Sequence, residues 1–187
     1  MAKQLIILCG HSGSGKTTQR ELLNAMTGFS PVCTTTTRPP RAGEVNGVDY
    51  NFLTVDQFQA LATDMVEQNN HRGNLYGTSP VFFDSAVSNG DTGVLVIDPA
   101  GVIKVAPYFR QRGWKVLTVF LEVSRESAVE RINNEAQSVA EAEKRISLLD
   151  TVEQKWATMF NYDSVLSQAS IDAVTTEILS EAKAYFS

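Results

Sequence analysis

Residues 5–17 read LIILCGHSGSGKT. The first five form an uninterrupted apolar run, which is typical of a β-strand that is buried on both faces. The next eight fit the pattern G-x-x-x-x-G-K-[ST], and a helical pattern follows over about residues 16–26. A buried strand, a glycine-rich loop and a helix in this order predict a phosphate-binding loop (P-loop) in an α/β protein.

The spacing of this loop suits a bound triphosphate. Glycines allow successive backbone N–H groups to converge on phosphate oxygens, and the helix N-terminus adds partial positive charge. Lys16 can place its ammonium group on the β- and γ-phosphates, and the Thr17 hydroxyl can coordinate Mg²⁺. We expect a nucleoside triphosphate to be bound by the following residues: Gly10, Ser12, Gly13, Ser14, Gly15, Lys16, Thr17 and Thr18.

Strands alternate with helices along most of the remaining chain. Further strands are predicted at residues 94–97, 116–121 and 165–166, and helices at residues 102–111, 124–132, 138–159 and 171–185. This alternation favours a parallel sheet covered by helices on both faces, which is a three-layer α/β fold.

Residues 31–90 interrupt the alternation. The segment carries four consecutive threonines, a Pro-Pro pair and several glycines, with short β-like pieces at residues 48–53 and 75–76. A helix at residues 55–63 is indicated by Thr54 and Gln57, which have the spacing of a capping box. We interpret residues 31–90 as an inserted subdomain of mostly antiparallel strands and helices, set into a core of residues 1–30 and 91–187.

The composition narrows the class of partner. The chain has 187 residues, and its 16 basic and 21 acidic side chains give a net charge of −5. Proteins that bind nucleic-acid polymers or anionic membranes are more often basic, so we expect neither partner. No apolar run approaches the ~18 residues of a membrane span, and we expect a soluble, cytoplasmic protein whose anionic ligands meet local clusters of Lys and Arg.

A P-loop alone leaves a GTPase, a motor ATPase and a kinase of a small acceptor as alternatives. The chain is short for most motor ATPases and lacks the [NT]-K-x-D motif with which GTPases read their base. A kinase needs a second anion site, which Arg38 and Arg41 on a stiff Pro-Pro loop can provide, with the Tyr50 hydroxyl beside them. The alternative interpretation is a solvated Arg-Pro loop.

Residues 34–52 read TTTTRPPRAGEVNGVDYNF, and this stretch resembles the nucleoside-monophosphate-binding segment of guanylate kinases, T-T-R-x-P-R-x-G-E-x-[ND]-G-x-D-Y-x-F. Three further matches follow in order. Glu67 resembles the family's guanine-reading glutamate, residues 73–78 (GNLYGT) its G-x-Y-Y-G-[ST] segment, and Asp98 the second acid of its D-x-D-x-x-G strand end. The matching blocks span about residues 5–101, and a weaker match continues to Arg145.

The resemblance implies a P-loop kinase with an inserted nucleoside-monophosphate-binding subdomain and a helical lid at about residues 131–145. Glu67 would accept hydrogen bonds from guanine N1–H and the exocyclic amine, a donor pair that adenine lacks. The hydroxyls of Thr34 and Thr78 would meet the base edge, and Asp98 would orient Mg²⁺-bound water or contact the acceptor. The acceptor phosphate would be held by Arg38, Arg41, Tyr50 and Tyr76.

The implied reaction converts ATP and GMP (or dGMP) to ADP and GDP (or dGDP) by in-line phosphoryl transfer with Mg²⁺. The resemblance implies catalytic roles for Lys16, Arg38, Arg131 and Arg145, and it implies metal contacts for Thr17 and Asp98. One alternative is a kinase of another deoxy- or modified-base monophosphate. Another is a guanylate-kinase-like binding module that has no catalytic activity. Such modules commonly have a degraded P-loop, whereas residues 15–17 of this chain retain the P-loop motif. For the oligomeric state, the sequence is compatible with a monomer and with a homodimer.

Three departures from the family's pattern bear on the rate. Val96 replaces the first acid of D-x-D, the lid run R-x-x-R-G reads RINNEAQ at residues 131–137, and Gln168-Ala169 replace an Asn-Asp pair after the last strand. The lid thus lacks an arginine, which leaves Arg131 and Arg145 to neutralise the transferring phosphoryl group or to serve as exposed helix charges. A slow enzyme or a shifted acceptor is compatible with these departures.

Overall fold

The structure is a computed structural model that describes residues 2–41, 43–71, 73–167 and 170–187, so the Gln168-Ala169 replacement lies outside the described residues. The strands are β1 (Gln4–Gly10), β2 (Phe29–Val32), β3 (Thr35–Thr36), β4 (Asn51–Phe52), β5 (Glu67–His71), β6 (Asn74–Thr78), β7 (Thr92–Val96), β8 (Lys115–Leu121) and β9 (Ser164–Leu166). The α-helices are α1 (Lys16–Asn24), α2 (Val55–Leu61), α3 (Pro80–Ala86), α4 (Pro99–Gln111), α5 (Arg125–Glu135), α6 (Val139–Thr151) and α7 (Ile171–Phe186). Two 3₁₀ helices cover Ala62–Asp64 and Glu153–Thr158.

A parallel sheet with the strand order β2-β7-β1-β8-β9 forms the core. Successive residues of β1 face opposite sides of this sheet. Leu5 and Ile7 pack with Phe109 of α4 on one face, whereas Ile6 packs with Leu23 of α1 on the other. Both faces are therefore covered by helices, and the predicted three-layer α/β core is confirmed.

A second, smaller sheet has the order β4-β3-β6-β5. Only β3 and β4 pair in parallel, and the other pairs are antiparallel. The predicted capping box starts α2: the Gln57 amide donates to Thr54 Oγ1 at 3.2 Å, and the Thr54 amide donates to Gln57 Oε1 at 2.8 Å. This sheet spans residues 35–78, less than the predicted 31–90, because Pro31 pairs within the core sheet and Phe83 packs into the core.

The bounds of the predicted helices differ from those in the structure, and for two helices the structure shows why. The helix predicted to begin at residue 102 begins at Pro99, where the Asp98 carboxylate accepts a hydrogen bond from the Gly101 amide at 2.8 Å and caps the N-terminus. The helix predicted for 138–159 ends at Thr151, since the chain changes to a 3₁₀ helix where Glu153 turns inward. Among the described residues, no helix has both the length and the apolar character needed to cross a bilayer.

Candidate active site

The P-loop connects β1 to α1, and two of its glycines admit no side chain. Gly10 has a φ of 151°, and a Cβ there would lie 2.3 Å from the Leu121 carbonyl oxygen. Gly13 has a φ of 75°, and a Cβ there would lie 2.8 Å from the Ala128 carbonyl oxygen. The backbone of the loop is thus fitted tightly against β8 and α5.

Lys16 points back along this loop. Its ammonium group donates to the carbonyl oxygens of Gly10 at 2.7 Å and His11 at 2.6 Å. Burial lowers the pKa of Lys16 to about 8. The remaining predicted loop residues follow in order, with Ser14 in the turn, Gly15 as the N-cap of α1, and Thr17 and Thr18 in the first turn of the helix.

The two lid arginines lie against the P-loop. Arg131 of α5 donates to the Gly13 carbonyl oxygen at 3.0 Å. Arg145 of α6 donates from Nε to Ser12 Oγ at 3.1 Å and from Nη2 to Glu135 at 3.0 Å. Both guanidinium groups therefore lie beside the loop that the sequence assigns to the triphosphate, rather than among exposed helix charges.

Glu153 is a site residue that the sequence did not indicate. Its side chain is buried, and the carboxylate accepts a hydrogen bond from the Ser12 backbone amide at 2.6 Å. Trp156, one turn further along the 3₁₀ helix, lies 6.5 Å from the His11 ring and lines the same cleft. A single glutamate beyond the lid has no spacing relation to the P-loop motif, so its position follows only from the fold.

A cleft of about 700 Å³ separates the P-loop from the smaller sheet. From the core it is lined by Gly10, Ser12, Lys16, Val96, Ile97, Asp98, Ala100, Gly101, Lys104, Glu153 and Trp156. From the smaller sheet and its connections it is lined by Thr34, Tyr50, Glu67, Gln68, Asn69, Tyr76 and Gly77. Lys16 and Glu67, which the sequence assigns to different nucleotides, thus face one cavity.

Glu67 and Thr78 are direct neighbours on the paired strands β5 and β6. The fully buried Thr78 hydroxyl donates to Glu67 Oε1 at 2.9 Å, and Thr78 does not itself line the cleft. The structure therefore places the Thr78 hydroxyl against one oxygen of the Glu67 carboxylate. Asn69 lies two residues beyond Glu67 on the same face of β5, and the sequence analysis did not single it out.

Arg38 lies beside the two tyrosines of the cleft. Its guanidinium group donates to Glu44 at 2.8 Å and lies 5.5 Å from the centre of the Tyr50 ring. The hydrogen bond to Glu44, with a further one to Tyr76, raises the pKa of Arg38. Arg41 instead lines a separate opening of about 370 Å³ next to Arg145 of the lid. Arg41 therefore faces a cavity that Arg38 does not line.

The predicted magnesium ligands do not share a cavity either. Asp98 lines the main cleft, with one carboxylate oxygen used as the cap of α4. Thr17 lines a neighbouring cavity of about 210 Å³. Across the part of the chain that the structure describes, no three His, Cys, Asp or Glu side chains are grouped as metal ligands. Hard oxygen donors still suit Mg²⁺, which usually binds one or two protein groups together with phosphates and water.

The comparison with known families agrees with this arrangement. The model of the family described as guanylate kinase matches residues 2–184. A guanylate kinase of Wolbachia pipientis wMel is 34% identical over 188 residues, which cover 94% of this chain and 87% of the relative. A guanylate kinase of Fusobacterium nucleatum is 28% identical over 181 residues, which cover 94% of each chain.

A solved structure has the same fold. The crystal structure of guanylate kinase from Anaplasma phagocytophilum superposes with a TM-score of 0.62 and 22% sequence identity. The match covers 98% of this chain and 86% of that one. At this identity the likeness bears on the fold alone.

Proposed function

The chain belongs to the guanylate kinase family and is a nucleoside monophosphate kinase, and we propose that its cleft transfers the γ-phosphoryl group of ATP to the phosphate of GMP or dGMP. One observation carries this proposal. Lys16 of the P-loop and Glu67 of the smaller sheet line the same cavity of about 700 Å³. This volume lies in the range of about 300–1,000 Å³ that is typical of small-molecule sites.

Guanine recognition is assigned to Glu67. A carboxylate offers two acceptor oxygens to the N1–H and the exocyclic amine of guanine, whereas adenine would leave it unpaired. The hydrogen bond from Thr78 supports this role, because it fixes the rotamer of the carboxylate before the base arrives. Thr34, which also lines the cleft, supplies a hydroxyl to the base edge.

Phosphoryl transfer requires positioning and charge neutralisation more than covalent chemistry. An ionised oxygen of the acceptor phosphate attacks the γ-phosphorus, the bond to the β–γ bridging oxygen breaks, and ADP leaves with that electron pair. No protein base is needed, because the attacking oxygen carries no proton. Lys16, Arg131 and Arg145 lie at the P-loop, where they stabilise the equatorial oxygens of the transferring group.

The acceptor phosphate is held by Arg38 together with the hydroxyls of Tyr50 and Tyr76. Arg38 lies near both tyrosine rings, which supports a shared site. Arg41 lies at the lid-side opening, and we assign it to the acceptor phosphate only when the lid and the acceptor segment approach each other. Glu44 accepts a hydrogen bond from Arg38 and therefore competes with the acceptor phosphate for this guanidinium group. The phosphate must displace Glu44 or share Arg38 with it.

A magnesium ion would be held by the Thr17 hydroxyl and approached by Asp98, with phosphate oxygens and water completing its shell. When bound, it supplies charge to the β- and γ-phosphates. We also propose a cytoplasmic location, which the two free, buried cysteines Cys9 and Cys33 support.

Phosphorus NMR of the protein with ATP, Mg²⁺ and GMP tests the proposal. We expect the signals of ADP and GDP to grow in equal amounts while those of ATP and GMP fall, without accumulation of inorganic phosphate. Release of inorganic phosphate with GMP unchanged would identify an ATPase instead. Conversion confined to a non-guanine monophosphate would instead identify a kinase of another acceptor.

A further inference from the structure

Arg20 joins the P-loop helix to the segment of residues 43–50, which we call the acceptor loop. The residue lies in α1 and is only 8% exposed. Its Nη2 donates to Asp49 Oδ1 at 2.9 Å, and its Nη1 donates to the Val48 carbonyl oxygen at 3.3 Å. The guanidinium group thus holds the acceptor loop through one side chain and one backbone group.

Asp49 is held from the other side as well. Its second carboxylate oxygen accepts a hydrogen bond from the Val45 amide at 2.9 Å, which closes a turn within the acceptor loop. Burial by itself raises the pKa of Asp49, but the hydrogen bonds from Val45 and Arg20 outweigh it and the pKa is lowered. Asp49 therefore stays ionised at neutral pH and available to Arg20.

The two ends of this ion pair lie next to the two phosphate sites. Arg20 is four residues after Lys16, which is about one helical turn. Asp49 directly precedes Tyr50, which lines the main cleft and lies under Arg38. A rigid link from α1 to Asp49 therefore connects the donor phosphate site to the acceptor phosphate site.

Directly after the acceptor loop, the Asn51 backbone amide donates to the Thr34 carbonyl oxygen at 2.9 Å and Asn51 Nδ2 donates to the Cys33 carbonyl oxygen at 3.1 Å. A cavity of about 210 Å³ separates α1 from the acceptor loop, and Thr17, Arg20, Thr34, Asp49 and Tyr50 are among the residues that line it. Within the described ranges, the buried Nε–H of Arg20 has no hydrogen-bond partner. The ion pair between Arg20 and Asp49 bridges this gap.

We propose that Arg20 is a positioning residue that, through its ion pair with Asp49, sets the place of Tyr50 and Arg38 relative to the P-loop. The inference rests on the proposed function, because it concerns the monophosphate site of the same cleft. In-line transfer needs the reacting atoms about 3–3.5 Å apart, and a displacement of about 1 Å can cost ~10²-fold in rate. The ion pair thereby controls acceptor binding and alignment without touching either nucleotide.

Steady-state kinetics of Arg20→Met and Asp49→Asn test this role. Wild-type protein is first assayed with several monophosphates, and the variants are assayed with whichever one it phosphorylates. We expect each variant to raise the KM for the monophosphate at least tenfold and to lower kcat, with the KM for ATP changed less than threefold. Arg20→Lys keeps the charge and should recover part of the loss. The double variant should have the same kcat and the same KM for the monophosphate as Arg20→Met alone, since each substitution removes the same ion pair.

Arg110→Met is the matched control, because Arg110 forms a comparable part-buried ion pair with Asp163 far from the cleft. It should lower the melting temperature and leave both KM values unchanged. If Arg20→Met and Asp49→Asn behave like this control, losing stability while the KM for the monophosphate stays constant, the positioning role is wrong. A wild-type protein that turns over no monophosphate would instead contradict the proposed function, so the two failures are distinct.

Discussion

Replacing Lys16 by methionine is expected to lower kcat/KM for phosphoryl transfer by about 10³-fold or more, because a buried charge at the transferring phosphoryl group is lost. Methionine has nearly the length of lysine and no charge, so the P-loop keeps its packing while the neutralising group disappears. The carbonyl oxygens of Gly10 and His11 lose a donor, but they lie at the edge of an open cleft and can be hydrated.

The measurement is a coupled assay of ADP formation with ATP and the acceptor at varied concentrations. Lys183→Met is the control, since Lys183 is an exposed residue of the last turn of α7 and should behave like wild type. The folded state of both variants is compared by circular dichroism. A Lys16→Met protein that is folded and turns over at the wild-type rate would contradict the P-loop mechanism.

Replacing Glu67 by glutamine is expected to lower kcat/KM for GMP by about 10- to 10²-fold, since a hydrogen bond to a charged group contributes about 1.5–3 kcal/mol and each 1.4 kcal/mol is tenfold. Glutamine offers one acceptor and one donor, so it cannot accept from both N1–H and the exocyclic amine of guanine. The KM for ATP should stay within threefold of wild type, because the P-loop lies at the other end of the cleft.

IMP lacks the exocyclic amine of GMP, so it distinguishes a loss of base recognition from a general loss of catalytic activity. Wild-type protein should prefer GMP over IMP, and Glu67→Gln should narrow that preference. Asp64→Asn removes an exposed carboxylate near the smaller sheet and should leave the GMP-to-IMP ratio unchanged. A Glu67→Gln protein with the wild-type GMP-to-IMP ratio would show that another group reads the base.

Features that depend on nearest neighbours in the sequence could be predicted. The run at residues 5–9 is buried on both faces because successive residues meet opposite helical layers, which favours apolar side chains at every position. The capping box of Thr54 and Gln57 forms because both hydrogen bonds close within one turn. The P-loop is equally local, since its strand, glycines and helix are contiguous.

Features that depend on which elements meet in space could not be predicted in the same way. Glu153 reaches the Ser12 amide across 141 positions of sequence, and no spacing rule connects them. The Arg20–Asp49 pair crosses from the core to the acceptor loop, and each residue alone looks like an ordinary surface charge.

Other differences arose because one side chain can serve two purposes. Thr78 has a hydroxyl suited to a base edge, but its partner across the strands is Glu67, and the short distance settles the hydrogen bond there. Asp98 has a carboxylate suited to a ligand, but Pro99 starts a helix directly after it, so one oxygen caps that helix. The partners of these two side chains follow only from the fold.

The acceptor specificity of the wild-type protein tests the central claim most directly. With ATP and Mg²⁺ held constant, kcat/KM is measured by ADP formation for GMP, dGMP, IMP, AMP, CMP and UMP. The account predicts the largest value for GMP or dGMP, with AMP lower by about 10³-fold or more because Glu67 would be left unpaired against adenine. Equal or greater activity with AMP or a pyrimidine monophosphate would contradict it.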